Sequence, residues 1–393
     1  MSDGIYFNQS HKNFRTEVRK FLHQHAVPNI DRWESERKVD RAFWQALGQT
    51  GWLGIAMDST SQPQESSWDI FHGMIFIEEL GRLGSAGLRT AIAVHSHMTL
   101  PYLTKLADVH TREVYLHSAI RGEKVAALAL TEPDAGTDLN ALKLNAQAQA
   151  DGFVLNGHKQ FVANGTECDF FVVLARTSEA TQSRFGATGL SLFVVDAHAP
   201  GVHRTPLNCL GWHSADVAEL KLEQVFVPKS HVIGKVGQGF QLIVKGMQLE
   251  RLSAGVMALA ANRCCLEQTW HHLKSRQLGG ASVSKYQVVR HAMARLSTQQ
   301  ASIEQLAYHC AWSFEQGKMP MKEIAMLKVA ATELHQEIVT QCAQFHGAQG
   351  YVDSHIFARF VRDSHVVKIA AGANEAMNDL IAQALENNPN MDL

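Results

Sequence analysis

The spacing of apolar residues changes twice along the chain, and each change predicts a change of secondary structure. Between residues 11 and 121, apolar positions recur at helical intervals, as at Val18, Phe21 and Leu22. From Val125 to about Gly234, short apolar runs are separated by Gly, Asn, Asp and Pro, which is the pattern of strands and turns. Helical spacing then returns and predicts four long helices, at about 240–275, 284–316, 319–346 and 367–386.

This helix–strand–helix order predicts an α+β fold with three domains. We expect an N-terminal helical domain over 1–122, a middle β domain over 123–236 and a C-terminal helical domain over 237–393. The middle domain should contain a strand at 125–130 and further strands in the runs FVLNG, DFFVVLAR, GLSLFVVD and VAELKLEQVFVP. A chain of 393 residues is long enough to bury a large core.

The composition excludes several classes of protein. A hydrophobic fraction of 46%, a charged fraction of 19% and a net charge of −2 describe a globular protein without a nucleic-acid or membrane surface. No apolar run reaches the roughly 18 residues of a transmembrane helix, and the first residues lack a basic-then-apolar signal pattern. Six cysteines without CxxC spacing indicate free thiols, so we expect a cytoplasmic protein. The 21 histidines include no HExxH or comparable spacing, so no metal site is expected.

Two polar motifs in the β region carry most of the chemical information. LALTEPDAGTD occupies 128–138, where an apolar run opens into a short loop, and LNGHKQFVANG follows at 155–165. Proline and glycine in the first motif allow amides and hydroxyls to approach a flat polar ligand closely. In this order the two motifs resemble the flavin-binding middle domain of the acyl-CoA dehydrogenase family. The resemblance extends over nearly the whole chain, through VFVPKSHVIG (225–234), AQFHGAQGY (343–351) and FVRDSHVVKIAAGANE (360–375).

The resemblance implies a fold, a cofactor and partners. The family has an N-terminal helical domain, a middle β-barrel domain and a C-terminal four-helix bundle that usually mediates tetramer formation. It implies FAD as the cofactor, an acyl-CoA thioester as the substrate and an electron-transferring flavoprotein as the electron acceptor. No G-x-G-x-x-G fingerprint follows a predicted strand, so a nicotinamide-binding Rossmann domain is not expected.

The family's contacts to the flavin ring match residues of both motifs. By resemblance, the Leu130 amide and the Thr131 hydroxyl serve the polar edge of the ring, and Leu128 and Thr137 are further residues of the flavin site. Donors are needed there because electron density accumulates at that edge on reduction. Phe161 takes the place of the aromatic residue that packs against the ring. Considered alone, Thr131 could equally cap a turn and Phe161 could belong to the core. Ala163 replaces the family's Thr or Ser, so a side-chain hydrogen bond to flavin N5 worth about 0.5–1.5 kcal/mol is missing.

The adenosine end of FAD is held in this family mostly by a neighbouring subunit. The matching positions in this chain are Arg276, Gln287, Gln344, Gly347, Ala348 and Glu375. A permanently charged, forked arginine suits a pyrophosphate, although a solvated helix-end position is the commoner role of an arginine. Gly279 replaces a phenylalanine of the family pattern, and Ala348 replaces a glycine.

Dehydrogenation of an acyl thioester needs a desolvated carboxylate to remove the α-proton. Most of the family carries this glutamate where the present chain has Ala371. The helix expected over 240–275 offers another candidate, because Glu250 falls on its apolar stripe of Ile243, Met247, Ala254, Met257 and Ala258. Isovaleryl-CoA and long-chain acyl-CoA dehydrogenases carry their base in this Leu-Glu-Arg position, so by resemblance Glu250 is the base. The residues alone also allow an ion pair of Glu250 with Arg251 or Arg263.

The resemblance assigns further residues to the thioester. The Ala371 N–H, with Gly372 beside it, would polarise the carbonyl oxygen. Thr137 and Arg251 match positions along the thioester and pantetheine, and a structural helix contact is an equally simple role for Arg251. Room for a branched acyl group would come from the small residues Ala254, Gly255 and Ala370.

The sequence leaves three other functions open. The acyl or aminoacyl group could be tethered to a carrier protein instead of CoA. The fold could serve a flavin monooxygenase, which would react rapidly with oxygen and would not need Glu250. The chain could also be a non-catalytic flavoprotein, which would bind FAD without being bleached by a thioester.

Overall fold

The first third of the chain is helical, as predicted. The computed structural model describes residues 5–57, 68–179, 182–183 and 186–387, so the outer ends of the first and third predicted domains lie outside the described residues. The helices are α1 Gln9–His25, α2 Ile30–Glu36, α3 Arg41–Gln49, α4 Ile70–Gly81, α5 Ala86–Ala93, α6 Leu100–Leu103, α7 Val109–Arg112 and α8 Ser118–Ile120. Two π-helical turns, Val94–Thr99 and Glu113–His117, follow α5 and α7.

The middle of the chain forms strands where the sequence predicts them. They are β1 Ala126–Ala129, β2 Asn145–Ala148, β3 Gly152–Val162, β4 Phe170–Arg176, β5 Gln182–Ser183, β6 Gly186–Ala187, β7 Leu190–Asp196, β8 Val202–Pro206, β9 Ala218–Pro228 and β10 Val232–Ile233. Eight of them form one sheet in the order β10-β7-β4-β2-β3-β9-β8, with β1 pairing parallel to β4. The α+β fold class is therefore confirmed.

The last third of the chain contains long helices and one short hairpin. In chain order these are α9 Gly239–Ser275, β11 Gln277–Leu278, β12 Ala281–Ser282, α10 Gln287–Glu315, α11 Met321–His346, α12 Ile356–Ser364 and α13 Asn374–Glu386. The three helices expected at 240–275, 284–316 and 319–346 are confirmed.

The single helix expected over 367–386 is wrong. A 3₁₀ turn spans Val366–Lys368, and α13 begins only at Asn374. Between them the backbone φ is +57° at Ala371 and +92° at Gly372, which a right-handed helix does not allow. The alanines of this segment favour a helix, but tertiary hydrogen bonds, described below, hold it as a loop. We call residues 369–373 the Ala371 loop.

The chain divides into two compact units. The first unit contains Met1–Pro28, Asp69–Arg89 and Glu250–Leu393, and the second contains Asn29–Trp68 and Thr90–Leu249. Buried side chains of α9, α10, α11 and α12 form a core in the first unit, while the second packs helical side chains such as Leu100 and Leu116 against the sheet. The three domain boundaries expected from the sequence stay a prediction.

Two further observations bear on expectations from the composition. None of the helices in the described part of the chain is long and apolar enough to cross a membrane. All six cysteines are free thiols, as expected, and only Cys209 is not fully buried.

Candidate functional site

The two polar motifs of the β region lie side by side in the second unit. The Gln160 amide, near the end of β3, donates a hydrogen bond to the Thr131 carbonyl at 2.8 Å. The Lys159 ammonium donates to the Leu130 carbonyl, also at 2.8 Å. The loop that follows β1 is therefore attached to the end of β3, which brings the two motifs together.

A buried ion pair fixes this attachment. Lys159 is 1% exposed, and its Nζ lies 2.8 Å from Oε1 of Glu132. Glu132 also accepts hydrogen bonds from the amides of Lys143, at 2.6 Å, and Leu144, at 3.0 Å. Burial lowers the pKa of Lys159 to about 8, while Glu132 opposes this shift. Neither residue was predicted from the sequence, because a lysine in a strand usually indicates a solvent-facing position.

Phe161 does not belong to the core. Its ring is 63% exposed and its backbone φ is +58°, an uncommon conformation for a residue other than glycine. Ala163 behind it is buried. Next comes Asn164, also at positive φ, whose Nδ2 donates to the carbonyls of Ala91 at 2.9 Å and Ala126 at 3.2 Å. These bonds hold the segment that presents Phe161.

The loop after β1 has open space beside it. A methyl group added to Gly136 would meet no atom within 4 Å, and the neighbouring Thr137 is exposed. The side chains of Leu128, Leu130 and Thr131 are partly exposed. An exposed aromatic ring together with an open, polar loop fits a flat, hydrogen-bonding cofactor such as a flavin.

In the first unit, Glu250 is a carboxyl group without a partner. It is half-buried on α9, and no hydrogen bond or ion pair joins it to another described residue. Burial raises the pKa of Glu250 to about 7, and the charges of Arg251 and Lys328 oppose the shift. Arg263, considered above as a possible partner, pairs with Glu304 instead. A carboxyl group with a raised pKa and no salt bridge is typical of an acid–base residue.

Arg251 lies beside the Ala371 loop. A methyl group built on Gly372 would be 3.7 Å from Nη2 of Arg251 and 3.8 Å from its Nε. The side chain is buried, and its Nε has no hydrogen-bond partner among the described residues. The structure therefore brings the guanidinium of Arg251 next to the turn at Gly372, while the roles assigned to both residues stay a prediction.

A lysine that was not predicted anchors the Ala371 loop. Lys328 on α11 is fully buried, and its Nζ donates hydrogen bonds to the carbonyls of Lys368 at 3.1 Å and Gly372 at 2.7 Å. A third bond goes to Oδ1 of Asn374 at 2.8 Å. Within the described part of the chain the Ala371 N–H makes no hydrogen bond, so it is available to a ligand.

The absence of a side chain at Gly255 does not provide space for an acyl group. A methyl group added there would lie 2.9 Å from Cγ of Leu327, so the glycine allows α9 and α11 to pack closely. The expectation that Gly255 contributes to an acyl pocket is therefore wrong.

The residues assigned to the adenosine end of FAD lie on the surface of the first unit. Exposed positions are occupied by Arg276, Gln287, Gln344, Gly347, Ala348 and Glu375. Arg276 precedes the β11–β12 hairpin, whose two turn residues, Gly279 and Gly280, have φ values of +56° and +79°. Two consecutive positive φ angles are what a tight two-residue hairpin turn requires. Glycine at 279 thus has a structural reason.

One group of side chains within the described ranges has atoms close enough to hold a metal ion, namely His11, Asp69 and His72. Its geometry is already explained by helix capping. Nδ1 of His11 accepts the amide of Asn8 at 3.1 Å, which places the ring proton on Nε2, facing Asp69 at 3.0 Å. A metal ion bound at Nε2 would force the ring proton onto Nδ1, and Nδ1 could then no longer accept the hydrogen bond from the Asn8 amide.

Comparison with known proteins assigns the class. The family models of the acyl-CoA dehydrogenase N-terminal, middle and C-terminal domains match residues 8–123, 127–225 and 237–386. The mitochondrial long-chain specific acyl-CoA dehydrogenase of Sus scrofa is 30% identical over 380 residues, covering 96% of this chain and 87% of the relative. The mitochondrial isovaleryl-CoA dehydrogenase of Pongo abelii is 29% identical over 382 residues, with coverages of 96% and 89%. The chain belongs to the acyl-CoA dehydrogenase family.

Solved structures agree with this assignment. The acyl-CoA dehydrogenase of Geobacillus kaustophilus superposes with a TM-score of 0.91 at 30% identity, over 97% of this chain and 99% of that one. A prolyl acyl carrier protein oxidase superposes with a TM-score of 0.87 at 27% identity, over 96% and 99%. The family fold expected from the sequence is therefore confirmed, and one similar structure belongs to a protein named for a carrier-bound substrate.

Proposed function

We propose that this protein is an FAD-dependent dehydrogenase that introduces an α,β double bond into an acyl thioester. The observation that carries the proposal is the unpaired carboxyl group of Glu250 on the same part of α9 that contacts the Ala371 loop. When bound, FAD supplies the acceptor for the hydride that leaves the β-carbon. The residues of the chain must then provide a base and a donor to the thioester oxygen.

Glu250 is the proposed base for the α-proton. Its pKa of about 7 leaves a substantial fraction ionised at neutral pH while keeping the carboxylate basic enough to accept a proton from carbon. The absence of an ion pair supports this role, because a salt-bridged carboxylate would be a weaker base.

The Ala371 N–H is the proposed donor to the thioester oxygen. It makes no hydrogen bond within the described residues, and the positive φ of Ala371 and Gly372 turns the backbone at this point. An oriented amide stabilises charge that develops on the oxygen while the α-proton is removed. We place Gly372, Arg251 and Thr137 along the thioester and pantetheine.

FAD binding is assigned to two sets of residues. Those at the ring are Leu128, Leu130, Thr131, Thr137, Phe161 and Ala163. Those at the adenosine end are Arg276, Gln287, Gln344, Gly347, Ala348 and Glu375, acting from a neighbouring subunit of a homotetramer. The exposure of the second set in a single chain supports a role at a subunit contact. An electron-transferring flavoprotein is the proposed electron acceptor.

A second candidate function keeps the chemistry and changes the carrier. The similarity to a prolyl acyl carrier protein oxidase favours an acyl or aminoacyl group attached to a carrier protein. The same base and the same donor would serve either thioester, so the two candidates differ in what surrounds the pantetheine and not in the residues described above.

The test is anaerobic titration of the purified flavoprotein with a panel of acyl-CoAs and carrier-bound acyl groups. We expect one class to bleach the flavin in the parent. In Glu250→Gln the flavin and the thioester should still bind, while the rate of bleaching falls by roughly 10²–10⁴-fold, as is usual when a general base is removed. Asp379→Asn, an exposed carboxylate on α13, is the matched control and should keep the parental rate.

Two outcomes would contradict the proposal. Bleaching of Glu250→Gln at the parental rate would show that another group is the base. If no thioester bleaches the parent, rapid reaction of its reduced flavin with oxygen would favour a monooxygenase, and slow reaction would favour a non-catalytic flavoprotein.

A further inference from the structure

Lys328 is an ammonium group enclosed in the first unit. Its side chain is 0% exposed, and lysine is among the residues least often buried. Burial of a charge is costly unless the group is fully hydrogen-bonded. An ammonium has three donors, and all three are used, by the carbonyls of Lys368 and Gly372 and by Oδ1 of Asn374. Within the described ranges no carboxylate forms an ion pair with it, so the lysine is held by neutral oxygens.

These three oxygens bracket the Ala371 loop. Lys368 precedes the loop, Gly372 lies within it, and Asn374 begins α13. Ala371 itself contributes no bond to Lys328, although its backbone has a left-handed φ of +57° that alanine rarely adopts. A conformation of this kind persists only where the surrounding structure determines it. The bonds on either side of Ala371 supply that determination.

A second residue of α11 supports the same arrangement. Thr332, one helical turn after Lys328, donates its hydroxyl to the carbonyl of Lys328 at 2.8 Å and accepts a hydrogen bond from Nδ2 of Asn374 at 3.1 Å. Both groups are buried. The amide of Asn374 is thereby held with its oxygen towards Lys328.

We propose that Lys328 is a positioning residue for the dehydrogenation, because it holds the Ala371 loop so that the free Ala371 N–H meets the thioester oxygen. This inference rests on the proposed function of Glu250 and Ala371. Lys328 touches neither substrate nor cofactor in this role. It acts through the backbone of the loop.

The charge of Lys328 has a separate effect on the base. The groups that act electrostatically on Glu250 are Arg251 and Lys328, and both lower its pKa against the effect of burial. The pKa of Lys328 is itself lowered to about 8 by burial and by Arg251, and raised by Glu375 and Glu250. Loss of the ammonium should therefore raise the pKa of Glu250 further.

The decisive variant is Lys328→Met, which keeps an unbranched side chain of similar length and removes the charge and the three donors. Hydrogen exchange of the amides in residues 369–373 should become faster, while exchange in α9 and α11 stays at parental values. With a thioester that bleaches the parent, we expect the rate of flavin bleaching to fall by roughly 10–100-fold, less than or comparable to the loss of an oxyanion donor. The apparent pKa of the rate should move upward.

Thr332→Val keeps the test valid if Lys328→Met does not fold. It leaves Lys328 in place and removes only the hydroxyl that orients Asn374, so its loop exchange and its rate should change in the same direction by a smaller factor. Lys322→Met, whose ammonium lies on the same helix near Glu323, is the matched control and should leave both at parental values.

The hydrogen-exchange result does not depend on activity. Unchanged exchange in the Ala371 loop of both variants would overturn the positioning role, whether or not a substrate is known. Faster exchange with a parental rate and a parental pH profile would overturn the link to the reaction. If no thioester bleaches the parent, the proposed function fails, and faster loop exchange would still establish the anchor.

Discussion

Glu250 is a carboxyl group whose environment favours the neutral form. Two cations, Arg251 and Lys328, favour its ionised form, yet neither forms an ion pair with it and burial outweighs both. A hydrogen-bonded salt bridge would lower the pKa, whereas desolvation without one raises it. The pKa of Glu250 is therefore close to neutral pH because the carboxyl group is buried and lacks an ion pair, although two cations lie near it.

This balance predicts how the stability of the protein changes with pH. The pKa of Glu250 is about 7 in the folded protein, whereas in the unfolded chain it has the ordinary glutamate value of 4.5. The folded form therefore binds the proton more strongly. The neutral carboxyl favours folding below pH 4.5, and this contribution is lost as the pH rises to about 7. Glu250→Gln stays neutral, so its free energy of unfolding should match the parent near pH 4.5 and exceed it by up to about 3 kcal/mol near pH 8.

The measurement is urea denaturation at several pH values, with Asp379→Asn as the control. A difference between Glu250→Gln and the parent that is independent of pH would contradict the raised pKa. Purified protein without added thioester is sufficient, so this test does not depend on the identity of the substrate.

Single residues were predictable from the sequence where a pattern made them unusual. Glu250 interrupts an apolar stripe, and that interruption was visible. Lys328 was not predictable, because lysine on an amphipathic helix is ordinarily solvent-facing. Its partners are backbone carbonyls of Lys368 and Gly372, at least 40 residues later in the chain, and backbone atoms leave no mark on a sequence pattern.

At the scale of elements, β3 does more than pair with its neighbours. Its Lys159 reaches across to the loop after β1 and forms a buried ion pair with Glu132. Glu132 also accepts hydrogen bonds from the backbone amides of Lys143 and Leu144, so the ion pair connects the segment before β2 with the segment after β1. The loop assigned to the flavin is fixed by the strand that presents Phe161.

Removal of one partner of this pair should be costly. In Lys159→Met the carboxylate of Glu132 stays buried without its cation, and we expect a loss of about 3–5 kcal/mol in the free energy of unfolding. Lys143→Met removes the exposed pair with Asp134 and should cost less than about 1 kcal/mol. Urea denaturation of both variants is the measurement, together with their flavin content. A loss below 1 kcal/mol in Lys159→Met would show that the ion pair does not fix the loop after β1 to β3.

The elements themselves were predictable to different degrees. The strands were predicted from short apolar runs between turn residues, and the three long helices α9, α10 and α11 from long stretches with apolar residues at helical spacing. The segment before α13 was not, because its alanine-rich sequence favours a helix and only tertiary bonds to Lys328 oppose it. The helix α12 was not predicted either, for a different reason: its nine residues are too few for a clear periodic pattern.

At the scale of the whole molecule, the exposed hairpin between α9 and α10 needs an explanation. Arg276 precedes it, the side chain of Leu278 is exposed, and Val288 is exposed at the start of α10. Exposed apolar side chains that form a contiguous patch often mark a contact with another molecule. This agrees with the proposed homotetramer, which stays a prediction, as does a cytoplasmic location.

Arg276→Ala should weaken FAD binding and the oligomer together. A charge-assisted hydrogen bond contributes about 1.5–3 kcal/mol, so its loss should weaken FAD binding by roughly 10–100-fold. Light scattering gives the oligomeric state, and visible absorbance gives the flavin content. Arg32→Ala, which removes an exposed arginine of α2, is the control. Full flavin occupancy in a stable monomeric variant would contradict a cofactor site shared between subunits.

The way the Ala371 loop is anchored has an evolutionary consequence. Lys328 holds two backbone carbonyls and the side chain of Asn374, and none of these bonds uses the side chain at position 371. A lineage could therefore gain or lose a glutamate at 371 while the loop kept its shape. Arg251 contacts the adjacent turn, and the charge of Lys328 acts on Glu250, so a carboxylate at position 250 is also close to the residues that hold this loop. If Glu250 is the base as proposed, two ordinary substitutions are enough to move it between the loop and the helix without rebuilding the anchor.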